Sequence, residues 1–228
     1  MNIKKTVIAT MLGLSAISAN VQAEQFTVQI ENLTNGIYFT PLLVAAHDSS
    51  TKLFQTGTSA NASLEAMAEG GDISGLVADI AGTSPATVEN PAAGLLAPGA
   101  NTTTSMLDTD GTANNYLSIV AMMLPTNDGF VGLNSWEVPS TAGTYTFTIN
   151  GYDAGTEAND ELTANIPAPI DFGTGTGGTG VATSDSNTNV HIHRGSIGDD
   201  NSTGGISDLD NSVHRWLNPI ARITVVVQ

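Results

Sequence analysis

Apolar and polar residues alternate in two segments near opposite ends of the chain, and this feature constrains the fold most. The segments cover residues 25–33 and residues 221–228. A period of two residues is typical of a β-strand that buries one face. The chain is therefore expected to begin and end its folded part in strands. The apolar positions of the two segments are Phe26, Val28, Ile30, Ile223, Val225 and Val227.

Three further segments between these ends carry strand signals. Residues 144–150 alternate in the same way, and residues 41–46 fit a short strand. Residues 117–124 form a continuous apolar run, which fits a more central strand that is covered on both faces. Strands near both ends with strands between them favour an all-β fold, a single antiparallel β-sandwich.

Two short helices and a long loop complete the prediction. Residues 63–69 precede Gly70 and Gly71, and residues 73–81 follow a cap at Asp72, as expected at helix ends. Residues 85–101 are predicted as loop and turns. Residues 167–189 are so rich in Gly, Thr and Ser that we expect a long Gly-rich surface loop within the domain.

The first 23 residues have the pattern of an export signal. Lys4 and Lys5 form a basic start, residues 7–17 an apolar stretch, and residues 21–23 a small-x-Ala cleavage site. We therefore predict a signal peptide at 1–23 and one domain at 24–228. The short signal looks bacterial, so the periplasm, the cell surface and the medium are the expected locations.

The charge balance restricts the partners of the domain. The chain has 22 acids and six basic residues, a formal charge of −16. Residues 1–23 contain two lysines and no acid, so their removal brings the charge to −18. Such a surface repels phosphate backbones and anionic lipid, which excludes nucleic acid and predicts no membrane insertion after signal removal. The chain lacks cysteine, which excludes disulfides and thiolate metal sites.

Three carboxylates lie in two turn-rich segments at the ends of apolar runs. Asp128 lies in residues 126–133, and Asp153 and Glu157 lie in residues 151–159. Hard oxygen ligands on loops of a rigid scaffold are what Ca²⁺ requires. A chain with 22 acids holds many such triples, so the spacing alone is a weak signal and fits a solvated rim better than a metal site.

Both segments resemble the spondin N-terminal domain of F-spondin and mindin. In that family an Asp before Val-Gly and two acids in an Asp-Ala-Gly-Thr-Asp segment bind calcium. The resemblance thus implies that Asp128, Asp153 and Glu157 are metal ligands, and that the fold is a C2-like β-sandwich with calcium at one end. Further matching stretches lie at residues 29–34, 39–41, 44–48, 191–195 and 216–222.

The sequence departs from the family pattern in two respects. The third acid is Glu157 rather than Asp, so Asp160 could take its place. The disulfides of the animal members and their reelin-like and thrombospondin-type domains are missing from this sequence. The resemblance therefore carries over the fold and the metal site, but not the integrin, neuronal or immune roles.

The histidines offer an alternative metal chemistry. His191 and His193 would share one face of a strand, and His47 or His214 could complete a zinc site with an open water position. A zinc-bound water would then make the chain a hydrolase. The simpler interpretation is that His191 and His193 hydrogen-bond loop backbone on a partly exposed face.

The remaining motifs favour structural roles. Residues 108–111 fit an Asp-Gly turn better than the start of an EF-hand loop, and residues 199–201 and 208–210 fit solvated loops. Trp136 and Trp216 fit packing better than sugar platforms. No Gly-x-Ser-x-Gly elbow or phosphate-binding loop is present.

These observations predict an exported calcium-binding module without catalysis. It would act in binding or adhesion towards an extracellular ligand, a protein or a glycan. The alternatives are the zinc hydrolase and a purely structural surface or matrix protein.

Overall fold

The fold consists of strands joined by short connections, with two helices inserted after the third strand. The computed structural model describes residues 25–167, 181–183, 187–201 and 204–228, so the predicted signal peptide and most of the predicted Gly-rich loop lie outside it. The elements are β1 (Gln25–Asn32), β2 (Tyr38–Phe39), β3 (Leu43–His47), α1 (Ala62–Gly70), α2 (Ser74–Ile80), a 3-10 turn (Ala81–Thr83), β4 (Ala86–Glu89), β5 (Asn101–Thr103), β6 (Leu107–Asp108), β7 (Tyr116–Leu124), β8 (Gly129–Glu137), β9 (Gly143–Asp153), β10 (His191–Ile192) and β11 (Ala221–Val227).

The strands form two sheets that share β9. The hydrogen-bonded order is β4-β3-β7-β8-β9-β11-β1-β5, and every pairing between these strands is antiparallel. Residues 143–149 of β9 pair with β11, whereas residues 150–153 pair with β8. We call the sheet of β5, β1, β11 and the start of β9 sheet I. Sheet II holds the end of β9 with β8, β7, β3 and β4.

The core lies between the two sheets because their apolar faces point at each other. Sheet I exposes the polar positions of β1 and β11, and its apolar positions are buried as the alternation predicts. Burial of these side chains is the main stabilising contribution, at about 25 cal/mol per Å² of apolar surface. The side chains between the sheets include Phe26, Val28, Ile30, Val44, Ile119, Ala121, Met123, Ile223, Val225 and Val227.

A second apolar cluster covers the other face of sheet II. Side chains of β3, β7 and β8 pack there against the two helices. Sheet II is therefore a middle layer, which explains why β7 is a continuous apolar run and confirms its prediction as a central strand. The cluster includes Leu43, Ala45, Leu64, Met67, Leu76, Ile80, Val120, Met122 and Phe130.

The ends of α1 carry the expected cap chemistry, whereas the predicted cap of α2 was wrong. At the start of α1, the side chain of Asn61 accepts a hydrogen bond from the Leu64 N–H at 2.9 Å. Gly71 ends the helix in the left-handed region with φ 71°, a conformation that glycine adopts without strain. The residue that caps α2 is Ile73, which offers no side-chain hydrogen bond, although Asp72 before it accepts the Ser74 N–H at 2.9 Å.

Three further predictions of local structure were wrong. Residues 129–137 form the strand β8 rather than a loop, and the predicted loop at 85–101 contains β4. The predicted strand at 144–150 continues to Asp153, so this acid ends a strand instead of lying in a turn. In each case strand pairing within sheet II outweighs the turn-forming composition. Across the described residues, no helix combines the length and the apolar character needed to cross a membrane.

Candidate metal centre

The pairing of β8 with β9 places two of the predicted ligands at one end of sheet II. Gly129 lies opposite Asp153 in the register, and Asp128 directly precedes Gly129. The main chains also connect there, since the Ala154 N–H donates to the carbonyl oxygen of Asp128 at 3.2 Å. Sheet register, not sequence spacing, therefore makes Asp128 and Asp153 neighbours.

The loop after β9 wraps around the side chain of Asp128. Its Oδ2 atom accepts hydrogen bonds from the N–H groups of Thr156 at 2.8 Å and Glu157 at 3.1 Å. These bonds bring the third predicted ligand, Glu157, beside Asp128.

Gly155 makes this tight loop sterically feasible. Its N–H donates to Asp153 Oδ1 at 2.8 Å, and its φ of 74° lies in the left-handed region. A Cβ atom at this position would lie 2.6 Å from the carbonyl carbon of Thr188. Any other residue would therefore push the loop away from the chain at residues 187–189.

The carboxylates of this site are buried. Relative exposure is 0% for Asp128 and 3% for both Asp153 and Glu157. Burial raises the pKa of Asp128, and the negative charge of Asp153 raises it further. Within the described part of the chain, Asp128 Oδ1 accepts no hydrogen bond. A buried carboxylate oxygen in this state is costly unless a cation or a proton neutralises it.

Asn159 connects Asp153 to a buried histidine. Its Nδ2 donates to Asp153 Oδ2 at 2.7 Å, and its Oδ1 lies 3.1 Å from Nε2 of His193. The Gly195 N–H donates to Nδ1 of the same ring at 3.0 Å, so the proton of the neutral imidazole is on Nε2. The sequence analysis missed Asn159 because an uncharged side chain gave no sign of a metal site.

Glu69 is a further acid near the site that the sequence analysis missed. It lies in α1 with 7% exposure and hydrogen-bonds with the Thr156 side chain. Burial raises its pKa, and the charges of Glu65 and Asp128 add to the effect. Glu69 lies about 60 residues before Asp128 in the sequence, outside the two acidic segments from which the site was predicted. Only its place among apolar positions of α1, beside Met67 and Ala68, pointed to burial.

Asp160 is occupied by other contacts. Its Oδ1 accepts from Asn127 Nδ2 and from the Leu162 N–H, both at 3.1 Å, and its Oδ2 accepts from Asn165 Nδ2 at 2.6 Å. These bonds fix the carboxylate within the loop. Of these two acids, Glu157 is the one that donates a hydrogen bond to Asp128, through its N–H.

The structure does not assemble the histidines into a zinc site. In the register of sheet II, His47 lies opposite Tyr116, and Tyr116 lies opposite Glu137 at the end of β8. Glu137 is eight residues along β8 from Gly129, which lies opposite Asp153. His47 is therefore separated from Asp153 by roughly 26 Å along the strand direction. His47 also engages both ring nitrogens, with Asp48 O at 2.7 Å and Ser118 Oγ at 2.8 Å. His214 contacts Asp210 through Nδ1 at 3.2 Å.

His193 is more buried than the predicted partly exposed face. The strand β10 ends at Ile192, which is 45% exposed, whereas the following His193 is 6% exposed. The predicted hydrogen bonds to loop backbone are confirmed, since His191 Nδ1 lies 2.8 Å from the carbonyl oxygen of Asn189 and His193 Nδ1 accepts the Gly195 N–H. The His193 ring lies 5.0 Å from the ring of Trp216, and burial lowers its pKa to about 4. His191 stays near the surface, with Nε2 3.7 Å from Asp153 Oδ2.

The structure brings Asp128, Asp153 and the main chain of Glu157 together without forming a ready metal cage. Among the residues that the structure describes, no group of three or more His, Asp or Glu side chains is arranged to hold a metal ion. The buried Oδ1 atom of Asp128, which accepts no hydrogen bond from the described residues, is compatible with a cation.

The other motifs have structural roles. Asp108 Oδ1 accepts the Asp110 N–H at 3.0 Å in a turn with Gly111 at φ 71°. Trp216 is buried at 5% exposure, and Trp136 packs on Phe147 with ring centres 4.7 Å apart. Asp199 accepts three backbone N–H groups of its own loop, those of Asn201, Ile206 and Ser207.

Comparison with known proteins agrees with the fold and with the resemblance of the two segments. The family model Spondin_N matches residues 19–170, which is more than half of the chain and includes all three acids. A search of curated proteins gave no match. The matched range also contains both strands, β8 and β9, whose ends carry the acids. On this evidence the chain belongs to the Spondin_N family, a family of extracellular-type domains.

Proposed function

We propose that this protein is an exported calcium-binding module in which Asp128, Asp153 and Glu157 hold one Ca²⁺ at the end of sheet II. The observation that carries the proposal is the Oδ1 atom of Asp128, which is buried and accepts no hydrogen bond from the described residues. A cation stabilises a buried carboxylate oxygen without a hydrogen bond more than it stabilises an exposed carboxylate.

The donor set favours calcium over softer or smaller ions. All three side chains offer oxygen only, and Ca²⁺ takes about 6–8 oxygen ligands at roughly 2.3–2.6 Å in flexible geometry. Main-chain carbonyls and water would complete the shell. Protein zinc sites mostly use histidine nitrogen or cysteine sulfur; the chain has no cysteine, and both ring nitrogens of His193 already make hydrogen bonds.

The role of the ion would be structural. Calcium supplies positive charge among acids that repel one another. Asp128 anchors the loop through its Oδ2 atom and would offer its Oδ1 atom to the ion. Asp153 would contribute from the last position of β9. The carboxylate of Glu157, whose Oε2 atom is also buried, would complete the set.

The module would act in binding or adhesion, without catalysis. The family is of extracellular type, the acid-rich surface excludes nucleic acid, and residues 1–23 have the export pattern. We therefore propose the periplasm, the cell surface or the medium of a bacterium as its location, and an extracellular protein or glycan as its ligand.

A calcium titration of the chelator-treated domain from residue 24 onward tests the proposal. At free calcium 100 times the dissociation constant, the free energy of unfolding should rise by about 2.7 kcal/mol. Asp128→Asn should abolish the rise. Glu137→Gln removes the same charge at the exposed far end of β8 and should preserve it.

Two outcomes would contradict the proposal. One is a parent protein whose melting temperature does not change with calcium. The other is an equal response in the parent and in Asp128→Asn, which would move the ion to a different group of acids.

A further inference from the structure

The turn before β8 places two neighbouring side chains against the loop that follows β9. Asp128 holds the start of this loop, because its Oδ2 atom accepts the N–H groups of Thr156 and Glu157. Asn127, the residue before Asp128, contacts the same loop four residues further along, at residues 160 and 161. Two adjacent residues of one turn therefore hold the loop at two points.

Asn127 is buried, and its side-chain amide makes both contacts at the second point. The residue is 1% exposed. Its Nδ2 atom donates to Asp160 Oδ1 at 3.1 Å, and its Oδ1 atom accepts the Glu161 N–H at 3.3 Å. A buried amide that is hydrogen-bonded at both ends has a defined orientation, so it holds residues 160 and 161 in a defined position.

The turn that carries Asn127 is itself held by a side chain. Thr126 Oγ1 accepts the Gly129 N–H at 3.0 Å and donates to the carbonyl oxygen of Met123 at 2.6 Å. Met123 lies in β7 and Gly129 begins β8, so these bonds tie the turn to two paired strands. Asn127 and Asp128 therefore extend from a rigid support, which is what a precise binding site requires.

The second point of the loop is kept in an unfavourable backbone conformation. Glu161 has φ 58°, in the left-handed region that residues other than glycine seldom adopt. Its N–H donates to Asn127, and its carboxylate accepts the N–H groups of Ile197 at 2.6 Å and Gly198 at 2.9 Å. Such a conformation persists only where surrounding contacts determine it, and residues of this kind cluster at functional sites.

Glu157, the third acid of the site, lies between the two points at which the loop is held. Its main chain is bound to Asp128, and the loop is bound again at Asp160 by Asn127. A loop that is ordered before the ion arrives loses less conformational entropy when the ion binds, which raises the affinity. Side chains that orient metal ligands from outside the coordination shell typically change metal affinity by roughly 10–100-fold when they are replaced.

We propose that Asn127 is a positioning residue of the calcium site. It fixes the loop beyond Glu157 and thereby orients the Glu157 carboxylate, without contacting the ion itself. This inference rests on the proposed calcium site, and it extends that proposal by assigning control of the calcium affinity to an uncharged residue.

Calcium titrations of matched variants by calorimetry test this role. Asn127→Ala should weaken calcium binding by the folded domain roughly 10–100-fold. Asn114→Ala is the control, because Asn114 is also buried, at 4% exposure, and donates through Nδ2 to the Ser84 carbonyl oxygen at 2.9 Å beside the start of β7. The control should lower stability and leave the calcium affinity unchanged. If Asn127→Ala does not fold, Asn127→Ser, whose side chain is too short to bridge the loop, should show the same loss of affinity.

A double-mutant cycle tests whether Asn127 acts through Glu157. In a Glu157→Gln background, Asn127→Ala should cause little further loss of affinity, because the carboxylate that Asn127 orients is gone. Bound terbium, used as a luminescent substitute for calcium, provides a second readout, since its decay rates in H₂O and D₂O report the coordinated water. Asn127→Ala should add coordinated water where the carboxylate is lost, and Asn114→Ala should not.

The outcomes separate this inference from the proposed function. Calcium binding by the parent protein with unchanged affinity in Asn127→Ala would overturn the inference alone. Equal losses of affinity in the Asn127 and Asn114 variants, or an undiminished effect of Asn127→Ala in the Glu157→Gln background, would also overturn it alone. A parent protein that does not bind calcium would overturn both.

Discussion

His193 and Asn159 form a hydrogen bond of 3.1 Å between ring Nε2 and amide Oδ1, and this bond fixes the amide next to the acidic site. Because the ring nitrogen donates, the Asn159 oxygen faces the ring and its Nδ2 faces Asp153. A histidine buried against Trp216 thus orients a carboxylate that the sequence analysis had already selected.

Asn159→Asp is expected to destabilise the metal-free protein. The change replaces the N–H group that faces Asp153 by an oxygen, so a hydrogen bond becomes a contact between like charges. We expect a loss of about 1–3 kcal/mol in the free energy of unfolding, measured by urea denaturation. Saturating calcium should restore most of it. Asn101→Asp on the exposed strand β5 is the control and should change stability by about 0.5 kcal/mol at most. A similar small effect at Asn159 would contradict the role assigned to it.

His193 is expected to make stability depend on pH in the acidic range. Its pKa is about 4 in the folded protein and 6.5 as a free side chain, since burial disfavours the charged form. Between these values the unfolded chain binds more protons, so stability falls as the pH drops from 6.5 to 4, by up to about 3 kcal/mol. The charges around the ring are those of Asp128, Glu161, His191 and Arg194.

His193→Gln should flatten this dependence. The change in slope between pH 6.5 and 4 is measured against the parent, so a constant loss of stability does not affect the comparison. Asp128 acts in the opposite direction in both proteins, because its pKa is raised on folding and its ionised form costs stability at higher pH. An unchanged slope in His193→Gln would show that the histidine stays protonated on folding.

Gly151→Ala is expected to disturb the packing that supports the site. A Cβ atom there would lie 2.9 Å from the Trp216 ring and 3.0 Å from the sulfur of Met123. Overpacking of this kind costs about 1–3 kcal/mol, which urea denaturation measures. Gly143→Ala in the same strand is the control, because its nearest contact would be an ordinary 3.7 Å to the Tyr145 ring. Equal effects of the two substitutions would refute the packing argument.

The sequence predicted the sheet better than the loops around the site. Alternation was enough for β1 and β11, because each has one face in the core and one in water. It failed for β8, where residues 129–132 are buried on both faces and residues 133–136 are half-buried, so no alternation remains. Gly129 and Gly132 in this strand also mimic a turn.

The site itself was predicted only as a set of acids. Asp128 and Asp153 are neighbours because of the β8–β9 register, and the main chain of Glu157 is held beside Asp128 by a hydrogen bond; no local pattern reveals either contact. The supporting groups Asn159 and Glu69 were missed for the same reason, since their roles depend on contacts made by folding. The burial of His193 was not predicted either, because alternation alone does not show how deeply a face is covered.

The most direct test of the account is a crystal of the domain grown with calcium and measured at long wavelength, where calcium scatters anomalously. The account predicts one strong anomalous peak between Asp128 Oδ1 and the carboxylate of Glu157, and its loss in Asp128→Asn crystals. A peak at the loop of Asp199 and Asp210, or none in the parent protein, would contradict the proposed calcium site.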